Sequence, residues 1–257
     1  MKLGVIFGIF ILHFIILLLY KKYIRHHRKT KEGFQDSKSL FQDIWFINMD
    51  KSTERREYME KMLRDLNLGV QVNRWPGING HLLTNEDYNK LEIPAWARPE
   101  FTVEARQKIR KGELGCYLSH LALLKHLATL MADAHKGHLI LEDDIQIENG
   151  FMEKVKQAFR HVPTDWDIIT FGIAERGKNI DVINIQNNIG RTIWMNNDYA
   201  YLVKHSSLEK IINEVSVIRE PFDTTLGRAS KLGKLNIYSY VPPLVVPREK
   251  NDTTMNG

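Results

Sequence analysis

Apolar positions along this 257-residue chain fall into three kinds of pattern. The first is a single block, Leu3 to Tyr20, in which His13 is the only strongly polar interruption. Its length sits at the short end of the range for a membrane-spanning helix. The second kind is a series of short runs: Ile44–Ile47, Val70–Val72, Leu139–Leu141, Asp167–Gly172 and Tyr199–Val203. Runs of this length bounded by polar residues predict strands buried on both faces, as in a parallel sheet. The third kind has helical spacing. Tyr58, Met59, Met62, Leu63 and Leu66 make one stripe after Ser52. A longer stripe follows Gly112-Glu113: Leu114, Tyr117, Leu118, Leu121, Leu124, Ala128 and Met131. Further helices are predicted over 151–160 and from Ser206 or Ser207 to Val215. Strands alternating with helices predict an α/β fold with a doubly wound sheet.

Punctuation residues divide these elements. Gly69 is the predicted stop of the first helix. Residues 75–99 are rich in Pro, Gly and Asn, with a short polar helix expected around Thr84–Leu91. Loops of that length are often functional. The C-terminal part alternates short strands and loops through VPPLVVP, and no internal repeat is visible. The expected organisation is an anchor and basic segment at 1–31, a stem at 32–43 and a globular body at 44–257.

Charge changes the picture in one place. Formal net charge is +5, yet residues 1–31 hold seven Lys/Arg and no acid. The remainder, with 29 basic against 31 acidic residues, is slightly acidic. No nucleic-acid surface is implied for the body. The run at 21–31 reads as a juxtamembrane segment attracted to anionic headgroups. A cleavable signal peptide is disfavoured, because basic residues rather than a small-residue cleavage site follow the apolar block. The chain is therefore expected to be a single-pass membrane protein. Positive charge after the span favours a cytoplasmic body. A Golgi or endoplasmic reticulum lumenal body is the alternative, and the sequon Asn251-Asp252-Thr253 leans weakly that way. The single cysteine, Cys116, cannot form an internal disulfide and reads as a small buried hydrophobe.

The candidate chemistry centres on LILEDDI at 139–145, where an apolar run meets Glu142, Asp143 and Asp144. Ligand sites in open α/β sheets gather at the carboxyl ends of strands. Three adjacent acids repel one another unless a cation or solvent offsets their charge. Strand alternation would send Glu142 and Asp144 to one side and Asp143 to the other. That suits a hard divalent ion held by one or two carboxylates and completed by substrate phosphates. A solvated acidic turn is the plain alternative.

Several stretches in order resemble glycosyltransferase family 25, which contains lipooligosaccharide and procollagen galactosyltransferases. They are FINMDKSTERREYM at 46–59, RWPGINGHLL at 74–83, KGELGCYLSHLALLK at 111–125, LILEDDI at 139–145, AYLVKHSS at 200–207 and PFDTTL at 221–226. The resemblance implies a type A glycosyltransferase fold, a Rossmann-like mixed sheet flanked by helices, here behind an N-terminal transmembrane helix. It implies Mn²⁺ or Mg²⁺, with Asp144 and Glu142 as metal ligands and Asp143 as a supporting, substrate-side residue. Asn48 and Asp50 stand where that fold receives base and ribose. Arg55 is the preferred phosphate-binding guanidinium, with Arg56 its competitor. Glu113, Ser119 and His120 are candidate donor contacts near a helix start, where anions are favoured. For His120 the alternative is a satisfied structural histidine. Asp223 is either the base for the acceptor hydroxyl or a helix N-cap.

The implied reaction moves a hexose, with UDP-galactose the first-choice donor, to a glycan or glycoprotein acceptor. A catalytically silent nucleotide-sugar-binding module tethered to the membrane is the alternative. A metal-dependent phosphoesterase is the third reading, opposed by the lack of a histidine-rich ligand set. One departure stands out. The last histidine is His205, so the C-terminal histidine ligand of many type A enzymes has no evident counterpart.

Overall fold

The computed structural model describes residues 40–93, 109–172, 182–195 and 199–248. Over these, the order begins with β1 (Phe41–Asn48), α1 (Thr53–Leu66), β2 (Val72–Pro76), α2 (Asn85–Lys90), α3 (Lys111–Ala128) and β3 (Gly137–Glu142). It continues with β4 (Ile145–Ile147), α4 (Phe151–Phe159), β5 (Ile168–Thr170), β6 (Val182–Gln186), β7 (Ile189–Thr192) and β8 (Ala200–Lys204). It ends with α5 (Leu208–Val215), α6 (Phe222–Lys231), β9 (Ile237–Tyr240) and β10 (Val245–Pro247). Eight strands form one sheet in the order β2-β1-β3-β8-β5-β9-β7-β6, and β10 pairs with β4 in a small second sheet. The sheet is mixed. β2, β1 and β3 are parallel, while β8 runs antiparallel to both β3 and β5.

Alternation along the central strands feeds two cores. Ile47, Ile140, Tyr201, Val203 and Ile168 pack on the side of α3, α5 and α6. Ile44, Phe46, Leu139, Leu141 and Leu202 pack on the side of α1 and α4. Each strand is thus apolar on both faces, which is why its sequence reads as a continuous run rather than an alternating one. The predicted strands and helices are present, with shifted ends. β2 starts at Val72 rather than Val70, and α1 ends with Asn67 in the left-handed region (φ 42°) instead of at Gly69. The long helix stops at Ala128, so Met131 does not extend its core stripe and is fully exposed.

Among the described residues, no helix is long and apolar enough to cross a membrane. The expected anchor at 1–31, the first residues of the stem and the sequon at 251–253 lie outside the described residues.

Far from the carboxyl ends of β1 and β3, a polar chain threads the sheet. Asp43 Oδ1 meets His138 Nδ1 at 2.7 Å, and His138 Nε2 meets His205 Nδ1 at 3.0 Å. His205 is thus at the opposite end of β3 from the three acids. Burial and the neighbouring His138 hold its pKa below the ordinary histidine value, against weaker opposing pulls from Asp43 and Asp133. A lowered folded-state pKa means that the unfolded chain binds the proton more readily. The stability contributed is present above the unfolded pKa of about 6.5 and is lost as pH falls below it through the lowered folded-state value. Thermal unfolding between pH 7.5 and 5.5 is therefore expected to show a smaller acid-side loss in His205→Asn than in the parent. An equal loss in both would contradict this.

Candidate functional site

β1 and β3 end side by side, with Ile47 paired to Glu142 across the parallel ladder. Beyond them lies an open cleft of about 710 Å³, part of it bulk solvent. A groove of about 1080 Å³ between α1 and the start of β2 is larger, but it lies off the strand ends and lacks the acid cluster. The cleft is walled by the end of β1, Arg55 of α1, the turn at 77–81 after β2, one face of α3 and the acids at the end of β3. Gly112, Cys116 and His120 recur four residues apart, so they stack along that face, with Ser119 beside them.

The turn is held against α3 by close backbone contact. Gly77 N–H donates to Asn48 O at 3.0 Å, and Ile78 N–H donates to Ser119 Oγ at 2.8 Å. The Ser119 hydroxyl in turn donates to Gly115 O at 2.7 Å. A side chain at Gly115 would lie 2.5 Å from the backbone nitrogen of Gly80, and one at Gly80 would collide with the Lys111 carbonyl oxygen. Both positions therefore need glycine for close approach rather than for an unusual φ.

The three acids separate by environment. β3 ends at Glu142, and the next two residues form a bend, so strand alternation does not extend to them. All three line the cleft. Asp143 is 8% exposed and accepts from Asn48 Nδ2 at 2.7 Å and from Arg55 Nη1 at 2.9 Å. The same Arg55 nitrogen lies 3.4 Å from Asp144 Oδ2, so one guanidinium spans two carboxylates. Glu142 faces α3 instead. Its Oε1 is 3.3 Å from Cys116 Sγ and 3.4 Å from His120 Nε2. Behind them, the Tyr199 phenol is pushed up to about 12, by burial first and then by the charges of Glu142 and Asp144. Those two carboxylates thus act on one locale.

His120 is fully buried. Its Nδ1 lies 2.7 Å from the Tyr201 hydroxyl, and its ring stacks on Phe222 at 4.9 Å between centroids. Glu142 and Asp144 keep side-chain exposures of 20% and 31% on the cleft wall, carboxylates of the kind that hard divalent ions use. Such ions take one or two carboxylates and leave the remaining positions to phosphate and water.

The other predicted site residues are placed as follows. Asn48 is 1% exposed and its side chain is engaged on all sides, by Asp143, the Ser52 carbonyl and Arg74 Nε. Asp50 is exposed and pairs with Arg74 at 2.5 Å, outside the cleft wall. Arg56 pairs with Glu60 on the solvent face of α1. Glu113 turns back to the helix start, accepting from the Arg110 backbone N–H at 2.8 Å and from its guanidinium at 2.6 Å. Asp223 lies in the first turn of α6, whose N-cap is Pro221, and accepts from the Thr224 N–H at 2.7 Å. It adjoins Phe222, the residue stacked on His120.

Two contributors went unread in the sequence. Cys116 was expected to be a buried hydrophobe, yet its thiol is half-buried and faces Glu142 on the cleft wall. Its i,i+4 spacing to His120 was the available clue. Tyr201, read only as part of a strand, orients His120 from the far side.

Fold and site together define an α/β protein with a large mixed sheet, an acidic strand end and a cationic residue at its cleft. Residues 41–226 match the family described as glycosyltransferase family 25 (LPS biosynthesis protein), and the chain belongs to that family. A glycosyltransferase 25 family member of Anopheles gambiae is 28% identical over 181 residues, 66% of this chain and 28% of that one. Human procollagen galactosyltransferase 2 is 25% identical over 138 residues, 51% of this chain and 21% of its own. Human inactive glycosyltransferase 25 family member 3 is 24% identical over 149 residues, 56% of this chain and 24% of its own. The chain therefore matches only about a quarter of the length of these relatives.

Proposed function

We propose that this protein is a metal-dependent glycosyltransferase that moves a hexose from a nucleotide sugar, UDP-galactose first, to a hydroxyl of a glycan or glycoprotein acceptor. The carrying observation is the convergence of Glu142, Asp144 and Arg55 on one cleft at the carboxyl ends of β1 and β3. Family membership supports the reaction class. The galactosyltransferase relatives support the choice of galactose.

In this reading Glu142 and Asp144 hold Mn²⁺ or Mg²⁺, which when bound offsets the negative charge of the departing nucleoside diphosphate. Arg55, fixed by Asp143, presents a second cation to the same diphosphate. Asn48 and Asp143 act one layer back, holding Arg55 and the turn after β2 in position. His120 borders Glu142, and Asp223 is the proposed base for the acceptor hydroxyl proton. The apolar block at 3–20 would tether the body to a membrane, with the body on the cytoplasmic side by charge bias.

A silent binding module is favoured by two observations. Arg55 already compensates Asp143 and Asp144 without an ion, and one human relative bears the name inactive. Thermal unfolding with UDP-, GDP- and CMP-sugars, each with and without Mn²⁺, tests the donor reading. A UDP-sugar is expected to stabilise only with Mn²⁺, by about 2.7 kcal/mol at a hundredfold excess over its Kd. If no nucleotide sugar stabilises the protein, donor binding is wrong.

A further inference from the structure

The acids explain a hard-ion site, but Cys116 and His120 have no part in that chemistry. Cys116 Sγ, His120 Nε2 and a Glu142 carboxylate oxygen lie within 4.8 Å of one another, and they are the grouping of this kind among the described residues. We propose that these three side chains form a binding site for a thiophilic divalent cation, Zn²⁺ being the type ion, on the α3 wall of the cleft.

Four features carry it. The donor set is one thiol, one imidazole and one carboxylate, which suits Zn²⁺ and neighbouring soft ions rather than Mg²⁺ or Mn²⁺. Two of the three ligand spacings are already right, and the third lies within 4.8 Å. Tetrahedral bonds of roughly 2.0–2.3 Å place ligand atoms about 3.5 Å apart, and Glu142 Oε1 already lies 3.3 Å from Sγ and 3.4 Å from Nε2. Cys116 and His120 are one helical turn apart, so the α3 backbone holds two ligands on one face before any ion arrives. The outer shell is also built. Tyr201 meets the other ring nitrogen of His120 at 2.7 Å, and Phe222 stacks on the ring. With Nδ1–H donated to the tyrosine oxygen, the Nε2 lone pair points at Glu142, the arrangement seen around metal-bound histidines. The fourth position opens to the cleft.

Binding replaces the thiol proton. The ion takes the place of the hydrogen that Cys116 shares with Glu142, a Zn–S bond forms, and one proton leaves to solvent for each ion bound. A consequence follows that rests on the transferase reading. A soft ion on Glu142 withdraws that carboxylate from the hard ion, so Zn²⁺ would oppose Mn²⁺-supported transfer.

The chain has a single cysteine, which makes the test specific. Co²⁺ titrated into the reduced full-length protein is expected to produce a near-ultraviolet sulfur-to-cobalt charge-transfer band that Zn²⁺ abolishes. Cys116→Ser should eliminate the band. Tyr201→Phe should keep it while weakening Co²⁺ binding by about 10–100-fold. Glu142→Gln should weaken it as well. The site is refuted if saturating Co²⁺ gives no such band, or if the band survives unweakened in both Glu142→Gln and Tyr201→Phe, since Cys116 would then bind Co²⁺ elsewhere. This readout is independent of donor binding and transfer, so its failure and the failure of the transferase reading are distinguishable.

Discussion

Gly80→Ala is expected to lower the unfolding temperature by about 6–12 °C. The added carbon would collide with the Lys111 carbonyl and sit 2.8 Å from the Gly115 nitrogen, so backbone rather than a flexible side-chain end must yield. Overpacking in cores costs about 1–3 kcal/mol, and a contact between two backbones belongs near the top of that range. For a domain of this size each kcal/mol corresponds to roughly 2–4 °C. Relief would come from moving the turn away from α3. That movement would also break the Ile78–Ser119 hydrogen bond and displace the cleft wall carrying Cys116 and His120. Gly115→Ala strikes the same interface, so the double variant should lose less than the sum of the singles. Unfolding scans that place Gly80→Ala within about 2 °C of the parent would contradict the close-packing account.

Glu142→Gln is expected to reduce transfer by about 10²–10³-fold with little change in unfolding temperature. The substitution preserves shape and removes one negative charge from the proposed ion site. A metal ion's charge stabilisation is worth several kcal/mol in the transition state, and each 1.36 kcal/mol is about tenfold in rate. The fold should tolerate the change, since Glu142 lies on the cleft wall, its contact to His120 is long, and a glutamine oxygen can still accept from the weak Cys116 thiol donor. Asp143 stands in contrast. It is buried and ties Asn48 and Arg55 together, so its loss would disturb structure and activity together. Steady-state kinetics beside unfolding scans separates these outcomes. Activity of Glu142→Gln within tenfold of the parent would remove Glu142 from the ion site.

What the residues revealed in advance follows from where the free energy lies. β1, β3 and α3 were legible because their apolar runs and stripes are long and fully buried. The β6–β7 hairpin was not. β6 is mostly exposed, and its pattern carries no burial signature. Its best clue was Asn187-Asn188, both with positive φ (49° and 67°), the backbone that a tight two-residue hairpin requires. α6 was foreshadowed only by the helix N-cap alternative at Asp223, and its cap falls instead at Pro221. The apolar runs alone pointed to parallel strands, while the family resemblance implied the mixed sheet that forms, with β8 antiparallel between β3 and β5. An apolar run specifies burial but not strand direction.

In the site, the family resemblance singled out the acids and Arg55, and the structure brings them to one cleft. Glu113 and Asp50 turned instead to arginines, Glu113 to one three residues away and Asp50 to one across the β1–β2 pair. The Gly80–Gly115 contact joins residues far apart in sequence and left no local trace. His205, the last histidine of the chain, lies at the opposite end of β3 from the acids, where it meets His138.

Release of the nucleotide leaving group from nucleotide sugars (UDP or GDP from the diphosphate donors, CMP from a CMP-sugar), measured with and without Mn²⁺ and acceptor, tests the central claim most directly. The account predicts Mn²⁺-dependent release from a UDP-sugar that falls about 10²–10³-fold in Glu142→Gln. Absence of release from UDP-, GDP- and CMP-sugars alike, or release that Glu142→Gln leaves undiminished, would contradict it.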